Sequence, residues 1–454
     1  MDGNSTLRVK VEAGDRQVVA HVGLHALGAF ADRLRFGEHL SGQIGWTGER
    51  APVHDRGTVL TQAMLMLAGG GESVADIEHL RTQDRLFGSV PSDTTLRRTI
   101  LAIDPATLAG LASAVAETRA EVWARSDATA GPVVLDIDAS LVEIHSENKE
   151  GTAPHFKGGF GFHPMFCFAD QTGEALGAML RPGNANANTI ADHLTVLDQA
   201  ISQLPGGVAA GHRPGEDPDL VVRPVMVRAD SAGCTHGFVN GCRTRKVGFA
   251  VVARKTAQIH GAIAKVLVDD SRWEPATAQN GEVRDDAHVA ELTDLVTLID
   301  WPAGTRLIVR REPRHPGAQQ SLFPSDAFRY WGHYTDQAGT PIELDTHMRA
   351  HAHVEDHIRR LKTSGLERFP FTDLDANRAW LALVCMAADL VRWFQLLCCD
   401  GALAIAEPKR MRWSLWHTPA RIVRRAGVDI VRIIDGWPTT PDLLNAYRHI
   451  AALT

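Results

Sequence analysis

From Gly131 onward the hydrophobic rhythm of the chain changes, and the change restricts the folds open to it. Between Arg56 and Arg125 apolar residues recur at helical spacing. After Gly131 come short β-rich runs at Val133 to Ile144, Met165 to Asp170 and Ala175 to Arg181, the last two joined by a hairpin turn at Gln171-Thr172-Gly173. An amphipathic helix is predicted over Thr189 to Leu204, followed by an exposed Pro- and Gly-rich loop from Pro205 to Pro224. A strand from Val225 to Ala229 then ends at Asp230, a helix covers Thr235 to Arg245, and a strand covers Gly248 to Ala253. Three strands, helix, strand, helix, strand is the order of a mixed α/β sheet with helices on both faces.

That order is the order of a ribonuclease H-like core. A mostly β insertion interrupts it from about Thr256 to Asp345, with strand-like runs at Glu291 to Ile299, Thr305 to Arg311 and Ala327 to Thr335, and with Trp273, Trp301 and Trp331. The stretch His347 to Lys362, HMRAHAHVEDHIRRLK, then reads as a helix. Val354, Ile358 and Leu361 make its apolar stripe, while His351, Glu355, Arg359 and Lys362 share the next face. One carboxylate among cationic groups suits a divalent metal at the acid and phosphate at the bases; a solvated ladder of charges is the plainer alternative. A long apolar helix from Asp375 to Cys399 packs beside it, and its Asp389 and Arg392 mark it as a buried helix rather than a membrane span.

The predicted organisation has five parts: an N-terminal region over 1–125, helical from about residue 56; the first part of the core over 131–255; the insertion over 256–345; closing helices over 346–400; and a basic C-terminal tail over 401–454 with Lys409, Arg410, Arg412, Arg421, Arg424 and Arg425. Near the N-terminus two short strands are expected from Val9 to Val22. Ser73 and Ser92 or Asp93 are candidate caps for two short helices separated by a Gly-containing turn. The second of these carries Arg97 and Arg98, and the pair has the form of a helix-turn-helix that would bind DNA ends. The net charge of −7 does not advertise a nucleic-acid binder, but local clusters set the field a ligand meets. The six cysteines form no CxxC pair and read as reduced core thiols without a zinc site. No apolar signal segment opens the chain, so a cytoplasmic protein is expected.

In a strand, Asp136 and Asp138 point to one face. Charge on a buried sheet is costly unless paired or metal-bound. Asp230 ends a second strand, and ligands of open α/β sheets collect at strand ends. Three carboxylates converging there, with Glu355 delivered by the helix, would repel one another. Two divalent ions would relieve that and clamp the oxygens of a phosphoryl transfer.

The chain resembles bacterial insertion-sequence transposases of the DDE type, and most of all the "IS thirteen-eighty" group. The resemblance rests on LDIDAS (from Leu135), LRPGNAN (from Leu180), VRADSAG (from Val227), WPAGTRLIVRREPRHPGAQ (from Trp301) and, most specifically, RAHAHVEDHIRRLKTSGLERFPF from Arg349 to Phe371. It implies a ribonuclease H-like fold with a β insertion before the glutamate. It also implies cleavage at terminal inverted repeats and transfer of the 3′-OH ends to target DNA, with a homodimer on DNA at the bacterial nucleoid. Asp138, Asp230 and Glu355 would be both the catalytic residues and the ligands of two Mg²⁺ ions, with Mn²⁺ as a substitute; Asp136 is the alternative first acid. Lys362 matches the family's Glu-(6)-Lys spacing, whereas Met348 and His351 stand where relatives carry Tyr and Arg, with Arg349 next door. Arg349, His351, Arg359 and Lys362, with Arg97 and Arg98, are the expected DNA-binding residues. A metal-dependent nuclease without strand transfer and a catalytically inactive DNA-binding repressor are the rival functions.

Overall fold

The computed structural model describes residues 17–45, 52–129, 131–209, 225–267, 269–314 and 328–453. Most of the strand pair expected at Val9 to Val22 lies outside them. So do most of the Pro205 to Pro224 loop and the end of the WPAGTRLIVRREPRHPGAQ block. Within the described part only Val18–Val19 (β1) is extended, and Val22–Arg33 (α1) is already helical. Helices α2 (Arg56–Gly69), α3 (Asp93–Leu101) and α4 (Pro105–Ala124) follow. Their starts are set locally. Asp55, Ser92 and Asp104 each accept a hydrogen bond from the backbone N–H three residues on, satisfying a donor that the helix itself cannot pair.

The sheet begins with β2 (Val133–Ala139), β3 (Met165–Ala169) and β4 (Ala175–Met179). Next come α5 (Ile190–Gln203), β5 (Val225–Ala229), α6 (His236–Thr244) and β6 (Gly248–Val252). The insertion supplies α7 (Ala257–Lys265), β7 (Glu274–Thr277), β8 (Val283–Glu291), β9 (Arg306–Pro313) and β10 (Phe328–Thr335). The chain closes with α8 (Pro341–Arg349), α9 (His353–Leu361), α10 (Leu374–Cys398), β11 (Ala420–Arg425), β12 (Val428–Ile433) and α11 (Thr440–Ala452).

One nine-stranded mixed sheet runs β7-β8-β9-β10-β6-β5-β2-β3-β4. The strands β2, β5 and β6 are parallel neighbours, and their partners on either side are antiparallel. The insertion is therefore not a separate body: β10 pairs with β6 through His333↔Val252 and Thr335↔Ala250, so it extends the same sheet. The strand expected over Glu291 to Ile299 is instead a strand ending at Glu291 followed by a tight turn at Thr293–Leu295. The Thr293 hydroxyl donates to Glu291 and accepts the Leu307 N–H, local bonds that replace a strand ladder.

Neither the first nor the last described segment is an independent arm. Strands β1, β11 and β12 form a three-stranded sheet, and α1 packs against α10 and α11. The N-terminal helices share one hydrophobic core with the sheet and with α10. The segment predicted as a basic tail is thus a folded part of the body. Helix α10 is long and apolar enough to cross a membrane, yet most of it is buried inside the protein. Each large apolar side chain so buried contributes roughly 1.5–3 kcal/mol. Where α4, β4 and α10 meet, the fully buried Arg119 donates to Glu174 at 2.8 Å and to Asp389 at 2.6 Å. Among the described residues the six cysteines are free thiols, most of them in the core.

Candidate functional site

The register of the parallel pair β2 and β5 matches Val133 to Val225 and ends with Ile137 opposite Ala229. One residue further, Asp138 and Asp230 leave neighbouring strands at the same end of the sheet, strands that lie about 5 Å apart. Asp138 accepts a hydrogen bond from the Ala139 N–H at 2.7 Å, and Asp230 from the Ala232 N–H at 2.9 Å. Glu355 is exposed on α9, which lies over this end of β2. Burial pushes the Asp138 carboxyl up to about 6, with further upward pressure from the charges of Asp230 and Glu355. The Ala139 N–H and His351 act the other way. Two carboxylates that raise the pKa of a third are near neighbours in space.

Among the described residues, no group of three or more His, Cys, Asp or Glu side chains stands at ion-holding spacing. The acids approach closely enough to feel one another, but two of them turn their oxygens to local backbone N–H groups. As a donor set they fit a hard divalent cation such as Mg²⁺, which takes oxygen ligands, and the mutual repulsion is the kind a cation relieves.

Asp136, on the same face as Asp138, is differently placed. It is fully buried. It accepts from Arg228 Nε at 2.8 Å and Nη2 at 2.6 Å, and His351 Nδ1 lies 2.7 Å from Oδ1. Burial acts to raise its pKa, but the hydrogen bonds of His351 and Arg228 outweigh this and hold it below the ordinary carboxylate value. Arg228 also pairs with Asp170 at 2.8 Å and donates to the His347 carbonyl at 2.7 Å. His353 closes the network on Asp170 at 2.8 Å. Helix α8 and the turn after it are therefore clamped to the sheet by charge, and Met348 adds apolar packing on Val134, Met226 and Ala250.

This clamp changes what the segment His347 to Lys362 looks like. It is not one helix: α8 ends at Arg349, Ala350–Ala352 winds more tightly, and α9 begins at His353. The apolar stripe of Val354, Ile358 and Leu361 is buried as its spacing predicts. His351 is not exposed beside Glu355; it is buried against Asp136. Arg349 is also turned inward, bonded to Asp345 at 2.9 Å and to the Thr277 carbonyl, which ties α8 to β7. Arg359 is exposed but shared between Asp356 at 2.8 Å and Glu407 at 3.3 Å. Lys362 is half-buried at the start of a wide turn and makes no salt bridge among the described residues. In that turn Gly365 has φ 106°, and a Cβ there would meet Leu67 Cδ2 at 2.8 Å, so glycine is required.

Arg97 and Arg98 lie on the exposed side of α3, and Arg97 stands 5.4 Å from the centre of the Phe371 ring. Trp273 is buried under Arg311, and Trp301 packs on Tyr334 with ring centres 4.1 Å apart. Trp331 is the exposed one of the three. Arg228 and Asp170 are the residues that sequence reasoning passed over. A signal existed: LDIDAS and VRADSAG place Asp136 and Arg228 at the same offset before Asp138 and Asp230, opposite charges ready to face each other once the strands pair in parallel.

A mixed α/β sheet that brings acidic side chains together at the end of its central parallel strands has the geometry in which open α/β proteins hold ligands. The family follows from sequence: the model of the "Transposase DDE domain group 1" matches residues 2–454, and the chain belongs to that family. Comparison with curated proteins found no match. Among solved structures, a chain described as "Cryo-EM structure of piggyBac transposase synaptic complex with hairpin DNA" is similar with TM-score 0.41 and 11% identity, over 95% of this chain and 80% of that one.

Proposed function

We propose that this protein is the DNA transposase of an insertion sequence of the "IS thirteen-eighty" kind. It binds the terminal inverted repeats as a homodimer, cleaves there, and transfers the freed 3′-OH ends to target DNA, in the cytoplasm at the bacterial nucleoid. The observation that carries this reading is the placement of Asp138 and Asp230 side by side at one end of the parallel strands β2 and β5, in a chain of the DDE family. The core reads as ribonuclease H-like because its five strands, numbered in chain order, run 3-2-1-4-5 with the second antiparallel to the rest.

Asp138, Asp230 and Glu355 would hold two Mg²⁺ ions, with Mn²⁺ as a substitute. Bound there, such ions activate the attacking oxygen and neutralise charge on the leaving one. Asp136 serves differently: with Arg228 and His351 it fixes the turn that leads into α9, and so fixes where Glu355 stands. Lys362 lies seven residues after Glu355, two helical turns on, and binds a phosphate beside the one being cut. Arg97 and Arg98 present cations from α3 to the DNA end.

The test uses the full chain, Mg²⁺, and a duplex carrying the DNA that flanks its reading frame. Wild type should cut it and should join supplied 3′-OH ends to a second duplex. Asp230→Asn and Glu355→Gln should abolish both reactions and leave DNA binding nearly intact, since binding rests on basic groups. Cleavage at wild-type rate by either variant would remove that residue from the site; cutting without joining would make the protein a nuclease.

A further inference from the structure

The wide turn Arg412–Trp416 holds one tryptophan out in water. Ser414, Leu415 and Trp416 are buried, and the Trp416 ring packs on Phe394 with centres 5.3 Å apart, whereas Trp413 is 82% exposed. Its ring and Nε1 have no hydrogen-bond or ring partner among the described residues. The turn continues the short helix Pro408–Met411, so Lys409 and Arg410, four and three residues before Trp413, lie on the same side as its ring. Both are exposed, and neither makes a salt bridge among the described residues.

A single exposed apolar side chain is ordinary on a protein surface. This one is held in place, among cations, beside the acid site. Arg412 Nε donates to the Ala68 carbonyl at 3.0 Å and Nη2 to the Thr363 carbonyl at 2.7 Å. Arg360 donates to the carbonyls of Ile405 at 3.1 Å and Ala406 at 3.0 Å, and Arg359 pairs with Glu407 at 3.3 Å. The segment 405–413 is thereby fastened to α9 and to the turn after it, which carry Glu355 and Lys362. Glu407 is taken up by Arg359 and Arg360, so Lys409, Arg410 and Lys362 keep their positive charge facing solvent. On a chain of net charge −7 that is a local departure, and local clusters set the field a ligand meets.

We infer that the Trp413 face holds an unpaired DNA strand beside the acid site, with the indole stacked on a base, Lys409 and Arg410 on the phosphates flanking that base, and Lys362 on a phosphate nearer the acids. A nucleic-acid strand offers π faces and negative charges in alternation, which is the complement of an aromatic ring between cations. Within a duplex each base face is covered by its neighbours, so a tryptophan standing off the surface meets a free face only where a base is unpaired. Cutting a strand at the acids leaves an end that is free to unpair, so such a strand arises next to this face. The ring is also pre-placed: the buried residues after it and the anchored Arg412 before it fix the turn, so little ordering is needed when a base arrives. This inference rests on the transposase reading for its choice of DNA.

The experiment compares the full-length wild type with Trp413→Ala, Trp413→Phe and Lys409→Ala/Arg410→Ala. Binding is measured by anisotropy without divalent metal across a salt series. The probe is a duplex from the DNA flanking the reading frame, either blunt or with an unpaired extension of about 10 nucleotides on one strand or the other. Trp413→Ala should weaken binding to an extended duplex by about 5- to 150-fold, the range for one lost base stack. It should leave the blunt duplex nearly unaffected and the slope of log K against log salt unchanged, since stacking releases no ions. Trp413→Phe should keep most of the affinity. The double alanine variant should lower the slope on the extended duplex by about 1.4, close to 0.7 for each phosphate of a single strand. No loss in Trp413→Ala, equal loss on blunt and extended duplexes, or a loss in Trp413→Phe as large as in Trp413→Ala, beside a wild type that binds, overturns this inference alone. A wild type that binds none of the duplexes overturns the transposase reading itself. A change of oligomeric state in sedimentation with unchanged DNA binding would make the Trp413 face an interface between two copies and overturn the DNA assignment.

Discussion

Replacing Asp136 and Asp138 one at a time with asparagine should move stability in opposite directions. Asp136 is fully buried against an equally buried Arg228, with hydrogen bonds of 2.8 and 2.6 Å. Asparagine carries no charge for the guanidinium, so Arg228 keeps Asp170 and the His347 carbonyl but loses its most buried partner, and weakening a buried pair in this way costs up to about 3–5 kcal/mol. Asp138 is the reverse case. Its carboxyl is pushed from 3.8 to about 6 by burial and by the neighbouring acids. A carboxyl whose folded pKa is raised penalises the folded state once it ionises: the penalty grows as pH rises from about 4 to about 6 and is complete above that. A shift of about two units corresponds to up to about 3 kcal/mol. Asp138→Asn should therefore stabilise the metal-free protein by up to that amount at about pH 8, with roughly half the gain at about pH 5. Urea unfolding followed by tryptophan fluorescence in EDTA, at both pH values, measures each effect; the chain has ten tryptophans to report it. A wild-type midpoint for Asp136→Asn, or a lowered one for Asp138→Asn at the higher pH, would refute the division of labour between the two aspartates.

Two further outcomes follow from the placement of the basic side chains. Lys362→Ala should lower the salt slope of DNA binding by about one and reduce cleavage at saturating protein less than Glu355→Gln does; an unchanged slope would leave Lys362 as a packing residue of its turn. Arg97→Ala/Arg98→Ala, made in the full chain because α3 shares its core with α10, should narrow the preference for inverted-repeat over random duplex. Equal loss on both duplexes at matched salt would reduce α3 to a non-specific DNA-binding element.

Much of the local structure was legible in the residues. The apolar runs of β2, β5 and β6, the cap at Ser92 and the stripe of Val354, Ile358 and Leu361 are set by neighbours in sequence, so a window of about ten to twenty residues contains the cause. The period of two along β2 placed Asp136 and Asp138 on one face, and the strand ends pointed to Asp138 and Asp230. What the period cannot contain is the partner. Arg228 sits 92 positions after Asp136, and only the parallel register of β2 with β5 sets them opposite each other. That pairing separates a buried, ion-paired aspartate from one whose carboxyl is raised by other acids, a distinction absent from the letters D-I-D. The same holds for His351, Arg349 and the insertion. Helical spacing put His351 and Glu355 on one face, but the pull of Asp136 and Arg228 on the segment turned His351 inward, and β10 became part of the main sheet because its backbone groups met the free edge of β6. Face and element type follow from local periodicity; register, burial of charge and the meeting of the two termini at β1 and β11 depend on pairings between residues far apart in sequence, which only the folded chain brings together.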